Sequence, residues 1–189
     1  INISRAKYST DYPCSFMFVA SMNPCPCGYY GDPTHRCVCT PGQIQRYMNK
    51  ISGPLLDRID IQCEISPVPF QDISKAAPGE PSAKIRERVI KAREVQAERF
   101  KDYKGIHCNA QMTERMIHQF AEPDEQGIEL LRMAMEKLSL SARAYNRILK
   151  VARTIADLAG SEQIKPDHIA EAVGYRTLDR GDWAERGHI

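Results

Sequence analysis

The hydrophobic pattern changes period along the chain. Ile59, Ile61, Cys63 and Ile65 alternate with Asp60, Gln62 and Glu64, a period of two that predicts a strand with one buried face. Phe16-Met17-Phe18-Val19-Ala20 is an unbroken apolar run that ends in Ser21-Met22-Asn23-Pro24. It predicts a buried strand stopped by proline, with a polar side chain presented at its C-terminal end. Between these segments lie a cysteine-rich loop, a helix predicted over 42–51 and a short helical turn over 55–58. Beyond the prolines the period lengthens to that of a helix, and helices are predicted over 82–104, 113–120, 124–138, 141–159 and 166–173. The fourth is the clearest, with Ser141 as N-cap, Gly160 as stop, and Ala144, Ile148, Val151, Ile155 and Leu158 spaced to form one packing face.

Residues 66 to 83 carry Pro67, Pro69, Pro78, Gly79 and Pro81 among small and polar residues, the composition of an inter-domain connection. The expected organisation is therefore a first unit over 1–66, a linker over 67–83, a helical unit over 84–180 and a tail over 181–189. No internal repeat or low-complexity tract interrupts it. With 189 residues, 42% hydrophobic and 26% charged, the chain has the composition of an ordinary globular protein rather than a disordered one. The net charge of +2, from 26 basic and 24 acidic residues, does not announce a nucleic-acid binder, so any basic face has to come from local clustering. The densest apolar run falls far short of the ~20 residues of a membrane span, and no signal-peptide zones surround Ile1. A fragment or processed chain in the cytoplasm is the expectation.

Seven cysteines, four of them between Cys25 and Cys39, disfavour a secreted disulfide framework. Cys25 and Cys27 form one Cys-x-Cys pair, and Cys37 and Cys39 form the second nine residues on. Four thiolates gathered by a short loop suit the tetrahedral preference of structural zinc, with His35 as a substitute ligand; reduced free thiols are the alternative. Cys14, Cys63 and Cys108 read as small buried hydrophobes. Arg58 stands between Asp57 and Asp60, as either a structural salt bridge or a guanidinium offered to a phosphate. Arg143, Arg147 and Lys150, with Arg153 nearby, lie along one predicted helix; a solvated face is the default, although Arg143 in the first turn also suits an anion. Residues 84–104 hold eight basic and four acidic side chains, which suits a solvated surface or a nucleic acid equally.

Three stretches together carry a family resemblance: Phe18 to Gly28, Ile51 to Asp60, and Leu140 to Ala156. Over nearly the whole chain, from about Ile3 to Arg180, the sequence resembles the bacterial Mg-chelatase-like AAA+ ATPases associated with DNA processing in natural competence. The resemblance implies an α/β fold, the C-terminal part of an AAA+ core with its cysteine loop, followed by an all-α helical lid. It places Asn23 at sensor 1, orienting the water that attacks the γ-phosphate, Arg58 as an arginine finger reaching into a neighbouring subunit, and Arg143 at sensor 2 on the lid. Ile3-Ser4-Arg5-Ala6-Lys7 resembles the tip of a pore hairpin, which makes Arg5 and Lys7 candidates for DNA phosphate contact. The implied cofactors are ATP and Mg2+, the implied assembly a homo-oligomeric, hexameric ring, and the implied client DNA rather than a membrane.

The sequence departs from that family in one respect: no Gly-x4-Gly-Lys-[Ser/Thr] occurs, nor an apolar strand ending in Asp-Glu, so the phosphate cradle and magnesium ligand are missing. The resemblance then implies that the chain begins after them and that ATP hydrolysis belongs to a longer parent. A motor that drives metal insertion into a porphyrin, and a non-enzymatic zinc-dependent binding module, are the alternatives to a DNA motor.

Overall fold

Side-chain caps start four of the helices. Thr40, Thr113, Asp124 and Ser141 each accept a hydrogen bond from the backbone amide three residues on, at 3.3, 3.4, 2.7 and 3.1 Å, satisfying donors that a helix start leaves open. The computed structural model describes residues 1–14, 16–65, 68, 72, 74 and 79–176. Strands β1 (Asn2–Arg5) and β2 (Tyr8–Asp11) form an antiparallel hairpin, followed by helices α1 (Pro41–Met48) and α2 (Gly53–Leu56). After the connection come α3 (Ser82–Arg99), a 3-10 turn (Asn109–Gln111), α4 (Glu114–Phe120), α5 (Glu125–Leu138), α6 (Ala142–Leu158) and α7 (Pro166–Gly174). The described chain is thus mostly helical, with one small two-stranded sheet. No helix among the described residues is long and apolar enough to cross a membrane.

The helical core closes around α6. Ile148, Leu149, Ala152 and Ala156 pack with Phe100, Met116, Ile117 and Leu131, and with Ile164 and Ile169 from α7 and the loop before it. Small residues at 152 and 156 let neighbouring helices approach closely. Gly127 in the first turn of α5 does the same at a tighter point: a Cβ there would lie 2.9 Å from the Pro123 side chain. Across that contact the Asp124 amide donates to the Ile164 carbonyl at 3.2 Å, tying the starts of α5 and α7 together. The buried face of α6 is rotated from the predicted one, because Leu158 is 45% exposed while Arg153 and Asp157 turn inward.

That rotation is explained by a polar network. The Asp157 carboxylate is buried and accepts from Arg99 through both oxygens at 2.8 and 2.5 Å, from Arg153 Nε at 3.0 Å and from Asn109 Nδ2 at 2.8 Å. Arg153 spends its remaining donors on the carbonyls of Glu162 and Ser161 at 2.7 and 2.5 Å. Every buried side-chain nitrogen and oxygen of the described residues has a partner, as the cost of desolvation demands. Arg153 therefore belongs to the interior, not to the solvated face expected from its spacing.

Two predicted strands are corrected. Residues 16–20 and 59–65 run without helix or sheet assignment, and among the described residues neither enters a ladder. A strand needs a neighbour for its backbone groups, and the hairpin pairs only with itself. Phe16, Met17 and Val19 accordingly lie 72%, 89% and 82% exposed. Cys14 and Cys63 are likewise exposed rather than buried. Much of the expected 67–83 connection, residues 177–180 and the 181–189 tail lie outside the described residues.

Removing the shared acceptor leaves the buried Arg153 and the half-buried Arg99 without their carboxylate. Asp157→Ala is expected to lower the unfolding free energy by about 3–5 kcal/mol, read from urea denaturation by circular dichroism. Arg88→Ala, which breaks the exposed pair with Glu80, is expected to leave the curve unmoved.

Candidate functional sites

The cysteine loop folds around turns rather than around a core of its own. The Gly28 amide donates to the Cys25 carbonyl at 3.1 Å, and Gly28 has φ +85°, a conformation that glycine adopts without strain. On the return limb Asp32 accepts from the backbone amides of Thr34 and His35 at 2.7 and 3.0 Å and from the Thr34 hydroxyl at 2.7 Å. The chain then passes through Cys37 and Cys39 into the capping box of α1, whose Ile44 and Met48 pack with Cys25.

This path brings all four predicted cysteines together. The sulfurs of Cys25, Cys27, Cys37 and Cys39 lie within 4.8 Å of one another, with Sγ to Sγ distances of 3.3 Å for Cys25 and Cys27, 3.7 Å for Cys25 and Cys37, and 3.5 Å for Cys27 and Cys37. A tetrahedral ion bound through sulfur at about 2.3 Å would need edges of about 3.8 Å, so the donor set fits a metal with little adjustment. Electrostatics agree. Backbone amides of Tyr29 and Val38 donate to Cys27 and hold its thiol near 6. Cys37 is pushed up to about 12: the Cys39 amide favours its thiolate, but burial and the sulfurs of Cys27 and Cys25 outweigh that help. Burial also raises Cys39. Neighbouring sulfurs cannot all ionise unless a cation offsets their charge. His35 is not part of this set, because its ring stacks on Tyr29 and its Nδ1 lies 2.9 Å from the Thr34 hydroxyl.

Arg58 and Arg143 come to adjoining turns. Arg58 follows α2, is exposed, and donates to the Pro54 carbonyl at 2.7 Å. The acids on either side of it are engaged elsewhere: Asp57 accepts from Ser141 Oγ at 3.0 Å and lies 3.5 Å from the Arg176 guanidinium, while Asp60 pairs with Arg147. A salt bridge between Arg58 and its own neighbours is therefore not what the structure contains. Ser141 is also the cap of α6, and Arg143 sits in the first turn of that helix, exposed. Lys150, further along, donates to the Ala110 carbonyl at 2.9 Å, and burial lowers its pKa.

Asn23 lies on the exposed stretch before the cysteine loop, and the Cβ position of Gly28 is 3.9 Å from its amide nitrogen. Arg5 ends β1 and Lys7 lies in the hairpin turn, both exposed, with Ala6 between them at φ +49°. Sequence reasoning missed Arg176. It follows the last helix and carries no spacing or motif signal, yet it is 1% exposed and donates to the Ile59 carbonyl at 2.5 Å.

Comparison with known proteins accounts for nearly the whole chain. The profile of the C-terminal part of magnesium chelatase subunit ChlI matches residues 79–176, and that of the ChlI subunit matches residues 1–73. Competence protein ComM of Haemophilus influenzae is 43% identical over 181 residues, and YifB of Escherichia coli is 42% identical over the same length, each alignment covering 95% of this chain. A Mycobacterium bovis relative is 35% identical over 176 residues, 93% of the chain. The chain spans 34% of each of these proteins, about a third of their length.

The thiol environments predict an order of modification. In reduced, chelator-treated protein at pH 7, iodoacetamide is expected to label Cys27 well before Cys37, because Cys27 is mostly thiolate there and Cys37 is not. Labelling of Cys27 should fall as the pH drops through about 6, which peptide mass spectrometry after a timed quench resolves.

Proposed function

Since this chain belongs to the magnesium chelatase ChlI family, we propose that it is the sensor, finger and lid portion of an AAA+ ATPase motor that remodels DNA. The observation that carries this reading is that the turn bearing the exposed Arg58 is bonded, through Asp57 and Ser141, to the start of the helix bearing the exposed Arg143. Arg58 and Arg143 stand on adjoining turns, while Asp57 and Asp60 are engaged by Ser141, Arg176 and Arg147. Two guanidinia with no carboxylate partner among the described residues suit a phosphate group whose charge grows in the transition state.

In this reading Arg58 is the arginine finger that enters a neighbouring subunit of a hexameric ring. Arg143 contacts the γ-phosphate as sensor 2, and Asn23 orients the attacking water as sensor 1. The phosphate cradle and the Mg2+ ligand come from the remainder of a longer protein, consistent with relatives about three times the length of this chain. Arg5 and Lys7 at the hairpin tip contact DNA phosphates, a client suggested by the competence name of the Haemophilus relative. Cys25, Cys27, Cys37 and Cys39 hold a structural zinc ion, which lends folding energy to a loop that has little apolar interior. A second reading, a motor that drives metal insertion, is favoured by the ChlI profiles themselves; stimulation by DNA separates the two.

In the intact protein, ATP turnover is expected to rise with single-stranded or branched DNA and to fall on the order of 10³-fold in Arg58→Ala. A coupled phosphate-release assay reads both, and turnover indifferent to DNA and to Arg58 would sink the DNA-motor reading. Protein purified under reducing conditions is expected to carry about one zinc per chain, measured by plasma mass spectrometry. Cys25→Ser with Cys37→Ser should carry none and melt at a lower temperature.

A further inference from the structure

The bonds that leave the Arg58 turn run to the helical lid. Asp57 is bound by the Ser141 hydroxyl at 3.0 Å, and that same hydroxyl caps α6 through the Ala144 amide at 3.1 Å. One side chain thus lies between the residue next to Arg58 and the helix turn that carries Arg143. One turn further along α6, Arg147 pairs with Asp60. From the far end of the lid, Arg176 donates to the carbonyls of Ile59 and Asp57 at 2.5 and 3.4 Å, and the Gln62 amide donates to the Tyr175 carbonyl at 2.9 Å.

We infer that Asp57, Asp60 and Arg176 are positioning residues that lock the Arg58 turn to the lid, so that Arg58 moves with Arg143 as one rigid piece. This rests on the reading of both arginines as phosphate-facing groups. The physical argument is one of attachment. Arg58 sits beyond a four-residue helix with no buried residue, and among the described residues its guanidinium is bonded to the Pro54 carbonyl of that short helix. A turn so poorly packed does not define the direction of a side chain by itself. The lid does: Arg176 is one of the largest fully buried side chains of the described chain, and it spends its donors on the main chain on both sides of Arg58. Backbone carbonyls, unlike side-chain acceptors, fix where the turn is and not merely what charge surrounds it. Any rotation of α6 that carries Arg143 therefore drags residues 57–62 along, and the finger is aimed from the lid.

The test uses the intact protein and two readouts. Asp57→Ala with Asp60→Ala removes both side-chain links while leaving the buried Arg176 and its bonds to the main chain in place; Arg176→Ala is a harsher companion. Amide exchange at Ile59 to Gln62, followed by mass spectrometry, is expected to accelerate in the double variant while exchange in α6 beyond Ile148 stays unchanged. Equal exchange in variant and wild type overturns the lock, whether or not the protein proves to be an ATPase. On turnover, kcat should fall by up to about 10²-fold with KM for ATP held. Combining the double variant with Arg58→Ala should cost no more than Arg58→Ala alone, since a mispositioned finger and an absent one are lost once. Asp60→Arg with Arg147→Asp, which restores the pair with its polarity reversed, should recover part of the kcat lost in Asp60→Arg. Multiplying effects of the Asp57/Asp60 and Arg58 substitutions, or an unaltered kcat despite faster exchange, would refute the positioning role. Wild-type protein without ATP turnover would defeat the proposed function and leave the lock to be judged by exchange alone.

Discussion

A buried carboxylate sets the geometry of the helical part. Asp157 is fully enclosed and shared by Arg99, Arg153 and Asn109. Charge in a low-dielectric interior is tolerated only when partners surround it, so the end of α3, the 3-10 turn and the end of α6 have to meet at that point. The apolar packing then follows: with Asp157 and Arg153 directed inward, the small residues at 152 and 156 face the same way, and α7 lies close against them. A purely apolar stripe would have tolerated α6 at several rotations. Directional bonds to one carboxylate select one.

Helix α6 is consequently pinned at both ends by polar contacts of different kinds. At its C-terminal end the pins are buried and hold the helical part to itself. About 15 to 24 Å away along the axis, from the rise of about 1.5 Å per residue, the pins at Arg147 and Ser141 are partly exposed and hold the Asp57 to Asp60 turn. Exposed ion pairs are weak individually, but a buried Arg176 on backbone carbonyls is not an exposed ion pair. The exposed Arg58 and Arg143 are thus carried by elements whose position is decided elsewhere, by Arg176 and by the buried network around Asp157.

The N-terminal part is organised by another principle. It has little apolar core beyond Cys25, Ile44 and Met48, and its shape comes from turns, an Asp32-centred loop and converging sulfurs. Clustered thiols discourage one another's ionisation, and a dication bound among them would relieve that conflict by replacing the protons. Extended apolar residues at 16–19 are incomplete in a comparable sense, as strand-like sequence without a ladder.

Much was legible in residue order alone. The Ser141 cap and the helical period located the C-terminal helices to within a few residues, because those signals act over one or two turns of local backbone. The two Cys-x-Cys pairs identified the sulfur cluster, since a nine-residue return can hardly keep them apart. Strands at 16–20 and 59–65 were read from alternation and apolarity, yet a strand exists only through its neighbours, and neighbours are a tertiary matter. The same holds for charge. Spacing made Arg153 a surface residue and offered Asp57 and Asp60 as partners for Arg58, whereas packing buried Arg153 on Asp157 and gave those two acids to Ser141, Arg176 and Arg147. Which cation meets which carboxylate depends on distances across the fold, and these arise only when helices far apart in sequence are brought side by side.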